Sequence, residues 1–473
     1  MITLRHILSA LIKYQGTTPE LTLTGAEIDS RRVIPGSLFI ALPGEHTDGH
    51  AYIADAFKHG ALIALVQKDL SNQYITLDLR DSSGQNQINL PQPPFCLLVE
   101  DSLKALQMIA RYWRRQLNIR VIGITGSVGK STTKELVAEI LSQKFHTFKN
   151  PGNYNNEIGL PLTILDMGEG YEHAVLEMGF YYPGEISFLC DIALPQVGII
   201  TNIGTVHAER AGSQAEIIKG KTELVQSLPA APEGIAILNR DDPLVLPMSE
   251  KTKAKVITYG LNNQADFWAD NIIGNGLQGI EFDLHSSNKF FHICSPMIGR
   301  HSVMTALRAI AVGHVEGLTM NEIFKGLALA QSQLRMVVKK TSTGVVILDD
   351  TYNATPESTM AALDLLNEIK GQHIAVLGDM LELGEYEKQG HEQVGEYVAN
   401  KADVLIAVGH RSKTMVEAAL KAGLPASAIF WQEDALQALN QLNKYLKKDA
   451  VVLVKGSHGM RMDRITAALE ELK

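Results

Sequence analysis

Short apolar runs alternate with amphipathic stretches along most of this chain. Runs at residues 37–42, 61–67 and 96–100 read as strands of a small α/β unit. Between the last two, the polar, proline-containing segment 78–94 reads as a loop, and a basic amphipathic stretch at 103–118 closes the unit. A second unit opens with the strand 120–125, and further apolar runs follow at 174–178 and 197–201. Helical patterns between them predict a mostly parallel sheet with helices on both faces. From 256 to 296 the pattern shifts to short alternating strands such as GIEFDL and KFFHIC, which predicts an antiparallel edge or insertion. A third unit starts near residue 329. Its strands at 345–349, 373–378, 404–409, 428–431 and 450–454 are separated by helical stretches such as 358–369 and 435–446, a doubly wound pattern. There is no short-period repeat and no low-complexity tract.

Length agrees with this division, since 473 residues make roughly three domains of about 150 residues each. The expected boundaries are 1–117, 118–328 and 329–473. The hydrophobic fraction of 45% supports a buried core and excludes a disordered chain. The formal net charge of −9 argues against a general nucleic-acid binder, while leaving room for a local anion site. Cys96, Cys190 and Cys294 are odd in number, widely spaced and without a CxxC, so neither a disulfide framework nor a zinc knuckle is expected, and a cytoplasmic protein is. The start, MITLRHILSALIKY, lacks a long apolar region and is not expected to be a signal peptide. No run approaches the length of a membrane span.

The strongest chemical signal is VIGITGSVGKSTTKELVAEIL. A strand runs into Gly126-Ser127-Val128-Gly129, then Lys130 and Ser131, then a helix with Leu136, Val137, Ile140 and Leu141 on one face. Glycines let backbone N–H groups wrap a phosphate chain, and the helix start favours the anion. Lys130 reaches the terminal phosphates and Ser131 is placed for Mg²⁺. Ile124 stands where the strict template has its first glycine, so the form is T-G-x-x-G-K-S. No G-x-G-x-x-G is present here, which disfavours a dinucleotide loop.

Three polar residues follow at or beyond strand ends: Asn156 in GNYNNEIGLP, Glu177 in AVLEMG and His207 in TNIGTVHAER. Each has a bland reading alone, as turn former, edge carboxylate and loop histidine. Together behind a phosphate loop they are better explained by a metal–phosphate site. Lys221 stands out differently. In the helical segment SQAEIIKGKTELVQSLP it falls in the middle of the stripe of Ile217, Leu224, Val225 and Leu228, with Lys219, Glu223 and Gln226 opposite. Such a lysine either snorkels to solvent or has a special role, and the pattern does not choose.

These residues, in this order, resemble the Mur ligase family of ATP-dependent amide-bond-forming enzymes, over essentially the whole chain. The resemblance implies an α/β, three-domain architecture: an N-terminal domain binding the UDP substrate, a central ATP-binding phosphate-loop domain with a mostly parallel sheet, and a Rossmann-like C-terminal domain. DSRRVIPGSLFIALPGEHTDGH is similar to the segment that holds the UDP end, which points to Ser30, Glu45, His46 and Thr47. TGSVGKST implies ATP contacts from Thr125, Gly126, Ser127, Val128, Gly129, Lys130, Ser131 and Thr132. The catalytic set implied is Lys130, Asn156, Glu177, His207 and Lys221. Two Mg²⁺ ions are implied, one held by Ser131 and Glu177, the other by His207 and a carbamoylated Lys221. LDDTYNATPES, AVLGDMLELGE and LVKGSHGMR match the last domain, and Arg335 and Asp350 are expected to approach ATP through its phosphates and ribose. TYNATP and LGDMLELG select the branch that adds D-alanyl-D-alanine, and neither a YAHTP-like segment nor DNPR is present.

Five positions depart from that branch. The Asn-x-x-Asn usual after GRH is Ser302 and Thr305, YNANP has become YNATP with Thr355, KGSR has become KGSH with His458, and Leu334 replaces a glycine. The resemblance implies a monomeric peptidoglycan-precursor synthetase, joining D-alanyl-D-alanine to UDP-N-acetylmuramoyl-tripeptide while ATP is split to ADP and phosphate. The alternatives are a sister ligase with a different amine substrate and a nucleotide-binding homologue without ligase activity.

Overall fold

The computed structural model describes all residues except 19, 45–46, 81–88, 206–207, 287–288, 330–335 and 472–473. Backbone contacts divide the chain into two compact units. The first comprises Met1–Gly123, Phe145–Gly179 and Glu185–Val197; the second comprises Ile124–Lys144, Phe180–Gly184 and Gly198–Lys473.

In the first unit, β1 (Ala26–Glu27), β2 (Leu38–Ile40), β3 (Ile63–Val66), β4 (Thr76–Asp78) and β5 (Phe95–Leu98) form a parallel sheet in the order β1-β2-β3-β5-β4. β2, β3 and β5 are buried throughout, which is why they read as plain apolar runs. β4 is short and half exposed, so it escapes a pattern reading and falls at the edge of the expected loop. The basic stretch is the helix Ser102–Arg114. It is pinned by Trp113, whose Nε1 donates to Met167 O at 2.9 Å, and by the buried Arg114, which donates to the carbonyls of Ala193, Leu117 and Ile119. Burial lowers the Arg114 pKa to about 10. β6 (Arg120–Thr125) then carries the chain from the first unit into the second. β7 (Thr147–Lys149) and β8 (His173–Glu177) pair in parallel within the first unit.

The second unit contains β9 (Val197–Ile200), beginning at the boundary, then β10 (Ile235–Asn239), β11 (Lys255–Gly260), β12 (Phe267–Gly274), β13 (Ile280–Ser286) and β14 (Lys289–Ser295). They neighbour one another in that order. The expected antiparallel edge is confined to β12-β13-β14, because β11 pairs in parallel with both β10 and β12. The last sheet runs β15-β16-β20-β17-β18-β19, from β15 (Val337–Lys340), β16 (Val346–Asp350), β17 (Gln372–Gly378), β18 (Val404–Val408), β19 (Ile429–Gln432) and β20 (Ala450–Lys455). All its pairs are parallel except that of the edge strand β15, whose polar VVKK sequence carries no apolar run. Helices cover both faces, with Leu363, Leu366 and Val394 packed in one core cluster and Ala438, Leu442 and Ile465 in the other. The chain is thus a mixed α/β protein built on parallel sheets.

Candidate active site

β6 delivers the buried Thr125 to the start of the phosphate loop, and Gly126–Gly129 turn into the helix Lys130–Leu141. Gly126 has φ +146°, and a Cβ there would lie 1.8 Å from Thr201 Oγ1, so this corner accepts no side chain. Asn202 fastens the loop: its backbone oxygen accepts from Ser127 N–H at 3.0 Å and its Oδ1 from Val128 N–H at 2.8 Å. Ser127 Oγ accepts from Gly204 N–H at 2.8 Å. Lys130 Nζ curls back, donating to Gly126 O at 2.8 Å and Ser127 O at 3.3 Å. Ser131 and Thr132 stand in the first helical turn, half buried, where the helix end favours negative charge.

Lys221 lies on the helix Gln214–Gln226, whose start is capped by Ser213. It is only 1% exposed, beside the buried Ile217, Leu224 and Val225. It does not snorkel. Its Nζ donates to Gly126 O at 3.0 Å and stands 4.9 Å from the ring centroid of Phe180. The neighbouring Gly220 makes room for that ring, since a Cβ there would lie 2.0 Å from Phe180 Cε2. Burial, and then the charge of Lys130, push the Lys221 ammonium well below its ordinary pKa, which favours the neutral amine. Lys219, two residues away, has a side chain 67% exposed and pairs with Glu216 at 3.3 Å.

In the first unit, Glu177 ends β8 and is almost fully buried. Its Oε1 accepts from Asn155 Nδ2 at 2.9 Å, and its backbone N–H donates to Asn150 Oδ1 at 2.9 Å. Asn155 is in turn fixed through its carbonyl, which accepts from Gly179 N–H at 2.7 Å. Asn156 is exposed, and its Oδ1 accepts from Gly159 N–H at 2.8 Å at the start of the helix Gly159–Asp166. Of the two adjacent asparagines, the one that touches Glu177 is Asn155. Ser30 is buried in the same unit, donating to Asp55 Oδ2 at 2.6 Å, while Thr47 is exposed. Glu45, His46, His207 and Arg335 lie outside the described residues.

Asp350 ends β16 and accepts from the buried Lys455 Nζ at 2.5 Å; Lys455 also donates to Asn353 O at 2.8 Å. Three of the unusual positions have local partners. Ser302 Oγ donates to Ile298 O at 2.7 Å, and Thr305 Oγ1 accepts from Arg308 Nη2 at 2.8 Å. Thr355 caps the helix Pro356–Glu368 in a reciprocal capping box with Ser358. His458 is exposed, its ring 6.3 Å from that of Tyr352.

The pattern reading missed Asn155, Asn202, Phe180 and Lys455. Asn155 and Asn202 each stand beside a residue or loop the reading had marked, but an asparagine between polar neighbours gives no periodic signal. Glu177 and Ser131 offer hard oxygen donors, the chemistry that suits Mg²⁺ rather than a soft metal. Among the described residues, no helix is long and apolar enough to cross a membrane.

A buried strand, a tight glycine corner and Lys-Ser at a helix start define a phosphate-loop nucleotide-binding protein. The Mur ligase middle domain matches residues 124–313, the Mur ligase glutamate ligase domain residues 334–458, and the Mur ligase family catalytic domain residues 22–114. The chain belongs to the Mur ligase family. It is 34% identical to the UDP-N-acetylmuramoyl-tripeptide--D-alanyl-D-alanine ligase of Bacillus subtilis, over 96% of this chain and 94% of that one. It is 33% identical to the protein of the same name from Escherichia coli, over 96% and 95%. Its fold is similar to MurF from Acinetobacter baumannii, with a TM-score of 0.83 at 29% identity covering 99% of this chain and 98% of that one. MurF from Thermotoga maritima in complex with ADP gives 0.78 at 28% identity, covering 96% and 99%.

Proposed function

We propose that the protein is an ATP-dependent ligase that adds D-alanyl-D-alanine to UDP-N-acetylmuramoyl-tripeptide in peptidoglycan precursor synthesis. The observation that carries the chemistry is the buried Lys221 on the carbonyl of Gly126, at the root of the phosphate loop. The choice of substrates rests on relatives of that name, matched over nearly their whole length. The domains we assign are 1–117 for the UDP substrate, 118–328 for ATP and 329–473, Rossmann-like, closing over the reaction, in a cytoplasmic monomer.

The tripeptide carboxylate is a poor electrophile, so its oxygen first takes the γ-phosphoryl group of ATP, and ADP leaves with the electrons of the broken P–O bond. The loop N–H groups and Lys130 hold the phosphates in line, and Lys130 stabilises the charge that builds on the transferring group. Two Mg²⁺ ions supply further charge stabilisation when bound, for which Ser131, Glu177, His207 and Lys221 are the proposed ligands. Asn156 belongs to the catalytic set by its match to the family segment. Thr125, Gly126, Ser127, Val128, Gly129 and Thr132 complete the ATP contacts, with Arg335 and Asp350 from the last domain. Ser30, Glu45, His46 and Thr47 hold the UDP end. The dipeptide amine then attacks the acyl carbon, its proton is lost to solvent, and phosphate leaves with its bonding electrons.

The neutral Lys221 amine is suited to carbamoylation: its lone pair forms an N–C bond to CO₂, a proton leaves to solvent, and the product is a carboxylate on a long stem. That group is a hard oxygen donor and the opposite charge to its neighbour Lys130. The reading is tested with a phosphate-release assay. Wild-type protein releases phosphate steadily only with ATP, tripeptide substrate and dipeptide together, and Lys130→Ala abolishes release while melting like wild type. ATP hydrolysis independent of the other two substrates contradicts it.

A further inference from the structure

The helix Ser302–Val315 carries a charge where its surroundings are apolar. Arg308 is 6% exposed, between Leu307, Ala309 and Ile310, all fully buried. Its Nη2 donates to Thr305 Oγ1 at 2.8 Å, and its Nη1 stands 3.5 Å from the hydroxyl of the buried Tyr259. Its Nε is buried and has no hydrogen-bond partner among the described residues. The same guanidinium stands against the phosphate loop, because a Cβ built on Gly129 would lie 3.3 Å from Nη2.

A cation taken out of water needs a counter-charge, and among the described residues no carboxylate pairs with Arg308. Gly129 precedes the helix that starts at Lys130, so the positive helix end adds to the charge already there. This place is suited to an anion. A planar guanidinium with free donors matches a phosphate by its fork geometry, whereas a neutral base or sugar would leave the charge uncompensated.

We propose that Arg308 is a nucleotide-binding residue of this chain, donating to the phosphate chain at the Gly129 end of the loop, with Thr305 as the positioning residue that aims it. Thr305 stands where the family pattern has an asparagine, and its short side chain both leaves room for the guanidinium and accepts from it. This deepens the ATP reading of the phosphate loop and rests on it.

Titration calorimetry on the full chain with ADP, pyrophosphate and adenosine tests the assignment. Arg308→Met weakens ADP and pyrophosphate by about 10- to 100-fold, the loss of a charge-assisted hydrogen bond, and leaves adenosine unchanged. Arg308→Lys falls between. Unchanged ADP affinity in Arg308→Met overturns the proposal, and so does an equal loss for all three ligands, which marks a brace for the loop rather than a ligand of phosphate. Should Arg308→Met fail to fold, a crystal structure of the wild-type protein with ADP decides: no Arg308 nitrogen within hydrogen-bond distance of a phosphate oxygen overturns it. Wild-type protein that binds neither ADP nor pyrophosphate overturns the phosphate-loop reading itself, and the Arg308 role with it.

Discussion

Lys221 and Lys130 share one acceptor: both ammonium nitrogens reach the carbonyl oxygen of Gly126, at 3.0 and 2.8 Å. Two like charges on one carbonyl repel, and the deeply buried one is favoured to give up its charge. Burial selects Lys221. The proposed conversion of that neutral amine to a carbamate would go further, turning the repulsive pair into an attractive one beside the phosphates.

Removing the amine therefore removes the proposed anion. Lys221→Ala lowers turnover by about 100- to 1,000-fold, the scale of losing one preorganised charged group, while Lys219→Ala changes little because its side chain is exposed. Acetate partly restores the Lys221→Ala variant, and stripping CO₂ from the wild-type buffer lowers its activity reversibly. Full activity of Lys221→Ala in a steady-state assay contradicts the role.

Stability carries the same signature. In CO₂-free buffer, unfolding returns Lys221 to its ordinary pKa of 10.5 from a depressed folded value. Between the two values the unfolded state binds the extra proton, so stability rises with pH across that window and levels off above it. Urea denaturation of wild type and Lys221→Met isolates this term. Their difference is expected to narrow in favour of wild type as pH rises, with a slope approaching about 1.4 kcal/mol per pH unit. A flat difference, or one of opposite sign, contradicts the buried neutral amine.

Asn155 holds the Glu177 carboxylate without being a proposed ligand itself. Asn155→Ala leaves Glu177 in place with one orienting hydrogen bond fewer. The Mg²⁺ concentration for half-maximal activity should rise by about 10- to 100-fold, as for other groups that orient a metal ligand. A variant with unchanged Mg²⁺ dependence would show that the 2.9 Å contact only fills space.

Buried parallel strands were legible because both faces are apolar: β6, β9 and β20 appear in the sequence as uninterrupted runs. β4 and β15 were not, since edge strands are held by backbone pairing and carry polar side chains. Lys221 could be found from periodicity alone, a charge in an apolar stripe, but only the structure excludes snorkelling. The importance of Asn155 over its neighbour is invisible in GNYNNEIGLP, because which amide meets Glu177 depends on how the turn before Gly159 is wound. Ser302 and Thr355, departures from the branch pattern, make sense locally as a back-bonded hydroxyl and a helix cap.

The central claim is an amide bond made between two particular substrates at the expense of ATP. Mass spectrometry of the products from UDP-N-acetylmuramoyl-tripeptide, ATP and an equimolar panel of D-alanyl-D-alanine, free lysine and diaminopimelate tests it most directly. A single new species, the UDP-linked pentapeptide, is expected, formed one for one with ADP and phosphate. Efficient product from either free amino acid, or ADP and phosphate without any ligated product, would contradict it.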